Sequence, residues 1–273
     1  MTVVEERTAE ARLAAVLSEL GRVVVAFSGG ADSAFLAHRA TTVLGRSQVL
    51  CVTAVSASLA PEEHAECAAL ADEWGLRWQA VPTAELHDPA YQVNDPQRCY
   101  HCKANLLGAL GPLAAAEQAT VVLGVNLDDL GDHRPGQQAA AERGARFPLV
   151  EAGFTKQAVR NASRRAGLRT WDKPAAACLA SRLPYGTPVT VGRLQRVARA
   201  ESALRRLGFR QLRVRHYGDL ARLELQPAEL SRAVAERRQV VEAVRSAGYA
   251  YVTLDLEGFR SGNLNAAHVG GGR

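Results

Sequence analysis

Val23 to Ser33 reads VVVAFSGGADS, an apolar run followed by Ser-Gly-Gly and then Asp and Ser at the head of a helical stretch. Val23, Val24, Val25, Ala26 and Phe27 show no period of two, as expected of a central parallel strand buried on both faces. Gly29 and Gly30 can take backbone angles closed to other residues and let an anion approach the main chain. Ser33 to Leu44 reads as a helix whose free N–H groups and positive dipole end face that turn. The stretch therefore predicts a phosphate site at the carboxyl end of a strand.

Working outward, Gln48 to Val55 (QVLCVTAV) reads as a second buried strand with Cys51 as a small core residue. Ser56 to Leu59 would then lie at the ligand edge of the sheet, where adenine contacts are plausible. Pro61 to Trp74 reads as a helix with Pro in its first turn and acids behind it, carrying a structural Cys67. Arg77 to Val81 and Thr120 to Val125 read as further strands. Strands alternating with helices call for an α/β, doubly wound parallel sheet, here residues 1–170, preceded by an amphipathic helix over Glu5 to Leu20.

Beyond it the order changes. Gly192 to Leu207 reads as a helix, QLRVRHY and LARLELQ as strands about Gly218-Asp219, Pro227 to Ala247 as one long helix and Tyr249 to Leu256 as a last strand. That order predicts a smaller C-terminal α+β domain over residues 171–273.

The 273 residues are enough for a full core. No apolar run approaches a membrane span, and the charged, amphipathic start VVEERTAEARLAAVL is no secretory signal, so a cytoplasmic protein without membrane partners is expected. Five cysteines are too few for a disulfide framework, which points their chemistry to metal binding or catalysis. A net charge of +5 does not require nucleic acid as a partner. Of 33 basic residues only Lys103, Lys156 and Lys173 are lysines. Survivors of such a bias suit places where a compact ammonium is needed.

RCYHCK at Arg98 to Lys103 holds a lone C-x-x-C, which is half of a zinc site, a redox pair or half of an iron–sulfur site. Cys178 in DKPAAACLASRLPYGT reads either as its complement, since three cysteines on one centre would leave a metal position open for chemistry, or as an ordinary loop thiol. GVNLDDLGDHRPG (Gly124 to Gly136) starts where a strand ends; Asp128, Asp129 and Asp132 can hold Mg²⁺ or hydroxyls, and Arg134 can neutralise phosphate. In QLRVRHY, Arg213 and Arg215 share one strand face, roughly 7 Å apart. They read either as a phosphate clamp or as a solvated face.

SGGADS matches neither the P-loop nor the dinucleotide fingerprint. It resembles the SGGxDS pyrophosphate loop of the ATP pyrophosphatases, the PP-loop enzymes. By that resemblance Ser28, Gly29, Gly30, Asp32 and Ser33 contact phosphates, with Asp32 near Mg²⁺. Taken in order, SGGADS, RCYHCK, DDLGDHRPG, WDKPAAACLASRLPYGT, RVRHYGDLARLEL and YVTLDLEGFRSG resemble the pyridinium-3,5-bisthiocarboxylic acid mononucleotide synthases over nearly the whole chain. These are ATP-dependent sulfur transferases that build the nickel-pincer cofactor of lactate racemase.

The resemblance implies that ATP adenylates a carboxylate of pyridinium-3,5-biscarboxylic acid mononucleotide, that sulfur displaces AMP, and that the sequence repeats on the second carboxylate. Ser28 to Ser33, Lys103 and Asp128 would serve ATP. Ser181, Arg182, Arg213 and Arg215 would meet the substrate phosphate, and Glu201 and Glu224 match acidic positions near a metal. Assembly into a homo-oligomer is also implied.

The sulfur donor divides that family. One branch uses a single cysteine near Cys178, whose sulfur leaves with the product so that dehydroalanine remains. The other has three cysteines and a [4Fe-4S] cluster carrying an extra sulfide. Cys99, Cys102 and Cys178 place this sequence with the cluster branch, whereas GNL at Gly262 to Leu264 departs from the basic stretch expected after FRSG. A tRNA-thiolating PP-loop enzyme would share the cysteines and the adenylation but calls for an RNA-binding surface. An amide-forming synthetase would not need the cysteine trio, and a nucleotide-binding regulator would lack turnover.

Overall fold

The computed structural model describes residues 3–131, 135–174 and 177–260. The chain divides into two compact units, Met1–Tyr91 with Gln97–Ala176, and Gln92–Pro96 with Ala177–Arg273. Asp132, His133, Arg134 and the GNL stretch lie outside the described residues.

The first unit runs α1 (Val3–Leu20), β1 (Val23–Ala26), α2 (Ala31–Leu44), β2 (Val49–Val55), α3 (Pro61–Glu73), β3 (Trp78–Pro82), the short α4 (Pro89–Gln92), α5 (Arg98–Glu117), β4 (Thr120–Leu123), α6 (Pro135–Glu142), the short α7 (Pro148–Glu151) and α8 (Lys156–Arg165). All four strands are parallel, in the order β3-β2-β1-β4, with Val23 of β1 opposite Val49 on one side and Thr120 on the other. This is the α/β parallel sheet with flanking helices that the pattern predicts.

β1 lacks alternation because both of its faces are buried. Val23, Val25 and Phe27 pack with Leu13, Leu17, Phe35, Leu70 and Val159. Val24 packs on the opposite face with Leu50, Leu107, Leu110, Val121 and Leu123. The connections build outward from β1 through β2 to β3, then cross to put β4 on the other side of β1. Open α/β sheets bind ligands where the strand order reverses in this way. The loops leaving β1 and β4 meet at that point.

The second unit contains α9 (Val191–Arg206), β5 (Leu212–Tyr217), β6 (Leu220–Leu225), α10 (Leu230–Ala235), α11 (Arg237–Ser246) and β7 (Tyr251–Leu254). Its mixed sheet has the order β5-β6-β7, antiparallel between β5 and β6 and parallel between β6 and β7. Leu204, Phe209, Val214, Leu223, Val240 and Val244 form the core beneath it. Asn94, with φ of 59°, ties the Gln92–Pro96 piece in: its Nδ2 donates to the carbonyls of Pro184 at 2.8 Å and Thr187 at 2.7 Å.

One element differs from expectation. The single helix expected over Pro227 to Ala247 is a 3-10 turn at Pro227–Glu229 followed by α10 and α11, with the chain turning at Glu236. Ala233, Val240 and Val244, the buried residues of the two helices, are spaced by seven and four. Those spacings keep them on one stripe whether or not the helix is broken, so periodicity alone does not reveal the turn. No helix among the described residues is long and apolar enough to cross a membrane.

Candidate functional site

In the first unit the site is built on the turn between β1 and α2. Gly29 has φ of +66°, and a Cβ on it would stand 3.0 Å from Cys67 Sγ, so conformation and space both require glycine. Gly30 caps α2 without a side-chain hydrogen bond. The first-turn N–H groups of α2 are thus open to an external acceptor. The Ser28 and Ser33 hydroxyls lie 3.0 Å apart, and the Ser33 hydroxyl also accepts from Ser28 N and donates to the Gly30 carbonyl. The turn is closed on itself. Gly124, just after β4, packs so tightly that a Cβ would fall 2.7 Å from Ser33 N.

Asp32 lies in the first turn of α2. Burial pushes its carboxyl pKa up, Asn126 Nδ2 offsets this by donating to Oδ1 at 3.1 Å, and Asp129 adds repulsion. Asn126 is buried and orders the β4 loop: its Oδ1 accepts from Asp128 N at 3.0 Å, while its own N–H donates to Asp129 Oδ2 at 3.2 Å. Asp128 itself accepts from Lys156 N at the start of α8, at 2.6 Å. Asn126 and Asp129 are therefore the residues that the fold brings to Asp32. Asn126 was not among the sequence candidates, because a lone Asn after a strand has no signature of its own.

Lys173 also reaches this turn. Its Nζ donates to the Gly29 carbonyl at 3.1 Å and pairs with Glu63 at 2.8 Å. Its being one of three lysines was the available signal.

Cys99, Cys102 and Lys103 lie in the opening turns of α5, with Cys99 exposed and Cys102 half-buried. Cys99 and Cys102 stand at i and i+3, on one side of the helix. α6 approaches this turn at Gly136, where a Cβ would be 2.9 Å from Lys103 Cγ and 3.0 Å from the Cys99 carbonyl oxygen.

Cys178 belongs to the second unit, exposed at the N-cap of the 3-10 turn Leu179–Arg182. Its carbonyl accepts from Ser181 Oγ at 2.7 Å and Arg182 Nη1 at 3.3 Å. No group of three metal-ligating side chains occurs among the described residues.

The same unit buries an arginine cluster. Arg182, Arg213 and Arg215 are 6%, 7% and 2% exposed, so the Arg213 and Arg215 face is not a solvated one. Arg182 grips Glu201 with Nε and Nη2 at 2.8 and 3.2 Å, and Arg215 grips Glu224 with both nitrogens at 2.9 Å. Arg215 Nη1 adds the Ser181 carbonyl at 2.7 Å. Glu201 also accepts from Val214 N and Arg205, and Glu224 from Arg222. Both carboxylates, candidates for a metal from sequence, are engaged by arginines.

Arg213 differs. Its hydrogen bond is to the Arg260 carbonyl at 3.0 Å, it stacks on Phe259, and no carboxylate pairs with it among the described residues. Burial, then Arg182 and Arg215, lower its pKa to about 10. Arg213 is thus a buried cation with no ion pair among the described residues, and Glu224 and Glu201 offset its burial only in part.

Comparison with known proteins fits this geometry. The NAD synthase family model matches residues 8–108, which hold the Ser28 to Ser33 turn. The pyridinium-3,5-bisthiocarboxylic acid mononucleotide synthase of Lactiplantibacillus plantarum is 40% identical over 259 residues, 94% of this chain and 94% of that protein. The chain belongs to that synthase family. An uncharacterized protein of Synechocystis sp. is 49% identical over 250 residues, 90% of this chain and 93% of the relative. Another, from Methanocaldococcus jannaschii, is 24% identical over 249 residues, 88% of this chain and 91% of the relative. Membership of the synthase family and the match over the phosphate turn together support an ATP-using enzyme.

Proposed function

We propose that this chain is an ATP-dependent sulfur transferase that converts the two carboxylates of pyridinium-3,5-biscarboxylic acid mononucleotide to thiocarboxylates, in nickel-pincer cofactor synthesis for lactate racemase. The observation that carries the reading is Arg213, a buried guanidinium without a carboxylate partner beside two arginines that have one. It suits a substrate phosphate, with Arg182, Arg215 and Ser181 setting its surroundings.

ATP binds with its β and γ phosphates on the N–H groups of the Ser28 to Ser33 turn, near Lys173. A substrate carboxylate oxygen attacks the α phosphorus, and the bond to the bridging oxygen breaks. Pyrophosphate leaves and stays on the turn, whose N–H groups and helix dipole offset its charge. Sulfide then displaces AMP from the acyl adenylate, and each thiocarboxylate consumes one ATP. Lys103 on α5 is proposed as a further ATP ligand.

Asp32, a half-buried carboxylate repelled by Asp129, suits a divalent cation. Mg²⁺ there would neutralise phosphate charge, with phosphate oxygens and water completing its shell. Three thiols suit an iron–sulfur centre with one open iron, and Cys99, Cys102 and Cys178 would be its ligands. A bound [4Fe-4S] cluster would supply the transferable sulfide.

A second reading rests on the carbonyl of Cys178, which accepts from Ser181 and Arg182 of the phosphate cluster. Cys178 would then donate its own sulfur. Iron and sulfide are assayed in anaerobically prepared protein, and the Cys178 peptide is weighed after turnover. About four of each with the peptide intact supports the cluster. No iron and a peptide lighter by one hydrogen sulfide supports the second reading. If no AMP forms with the biscarboxylic mononucleotide, both are lost.

A further inference from the structure

Strand alternation puts His216 on the face of β5 opposite Arg213 and Arg215. There it lines an open cavity of about 520 Å³ at the N-terminal end of α9, together with Thr190, Arg193, Arg196, Arg199 and Asp219. Sites for small ligands have this size. Arg193, Arg196 and Arg199 are each tethered through one terminal nitrogen to a backbone carbonyl, of Pro188 at 2.7 Å, Gly218 at 3.1 Å and Ala247 at 3.2 Å. The tethers orient the guanidiniums without neutralising them. Asp219, the one carboxylate of the lining, is exposed and meets Arg196 at 3.4 Å.

His216 is 3% exposed, and its hydrogen bond runs between Nδ1 and the Tyr249 hydroxyl at 3.1 Å. Nε2 has no partner among the described residues. The lining thus combines three oriented cations, the first turn of a 16-residue helix, where Thr190 caps only the Arg193 N–H, and the unpartnered ring nitrogen of a buried histidine. Guanidiniums and helix N-termini both favour phosphoryl oxygens.

We propose that this cavity is a second anion site, separate from the Arg213 cluster, that takes a phosphoryl dianion, either inorganic or carried on a nucleotide. Arg193, Arg196 and Arg199 hold its oxygens, and His216 Nε2 contacts it from the sheet.

The experiment follows His216 by NMR in the full-length protein with ring-labelled histidine. Seven histidines make assignment by His216→Gln practical. Phosphate, pyrophosphate and AMP are titrated separately. Burial, then Arg196 and Arg193, lower the His216 pKa, against a small opposing effect of Asp219. A bound dianion is therefore expected to move its titration upward, with a saturable shift.

The probe that saturates at the lowest concentration names the source: inorganic phosphate, pyrophosphate or a nucleotide phosphate. The paired change Arg193→Gln and Arg199→Gln is expected to weaken binding about tenfold or more, with the other histidine signals unmoved as proof of folding. Arg213→Gln is expected to leave the response intact. No saturable shift with any probe overturns the proposal. So does a shift that survives the paired change or disappears with Arg213→Gln.

Discussion

Lys173 Nζ donates to the Gly29 carbonyl at 3.1 Å while pairing with Glu63 at 2.8 Å, which seats an ammonium on the turn between β1 and α2. Lys173→Gln keeps a donor and removes the charge. The KM for ATP is expected to rise about tenfold, the scale of one charged hydrogen bond, with folding unchanged by circular dichroism. Lys173→Arg is not expected to restore it, because a planar fork cannot replace a compact ammonium between two acceptors. An unchanged KM in Lys173→Gln would remove Lys173 from the site.

Gly124→Ala tests the packing of β4 against α2. The new methyl would lie 2.7 Å from Ser33 N and 2.8 Å from Ser33 Cα, backbone atoms that cannot swing away. A loss of about 2 kcal/mol is expected from overpacking, together with weaker ATP binding as the turn shifts. Gly108→Ala on α5, where a Cβ meets nothing within 4 Å, is expected to add about 0.5 kcal/mol. Urea midpoints of the two variants measure both.

Glu224→Ala strands Arg215, which is 2% exposed, without its bidentate partner. Removing one side of a buried pair costs about 3–5 kcal/mol. Arg213→Gln removes an unpaired buried charge instead, so its stability should be kept or raised while the KM for the mononucleotide rises. Equal destabilisation by the two variants would contradict this division of roles.

Glu6 anchors α1 to α8, accepting from Asn161 at 2.7 Å and from Arg165. The Asn161 hydrogen bond, with Arg165 beside it, outweighs burial and holds the carboxyl below its usual 4.5. With the folded value lowered, this stability is present above pH 4.5 and is lost as pH falls through the folded value. Glu6→Gln is expected to cost about 1 kcal/mol at pH 7 and to flatten the acid limb of a stability-against-pH curve. An unaltered limb would mean that other groups govern acid unfolding.

The sequence by itself determined the α/β class, the buried β1 strand and the glycine turn that follows it. These follow from local rules: an apolar run without alternation, glycines where the main chain must bend, and a helix start. Resemblance pointed to the synthase family, and identity over 94% of the chain shows that membership.

What only the tertiary structure decided was partnership. Asn126 and Asp129 reach Asp32 because β4 lies beside β1, and of the two LRVRHY arginines Arg215 is met in its buried place by Glu224, while Glu201 meets Arg182 instead. Lys173 finds Gly29 across 144 positions of sequence. Periodicity reports which face of an element is apolar, whereas the charge that a buried guanidinium or carboxylate meets depends on contacts between distant segments. Those contacts make Arg213 the member of its cluster without an ion pair among the described residues and turn Arg193, Arg196 and Arg199 of α9 toward a cavity.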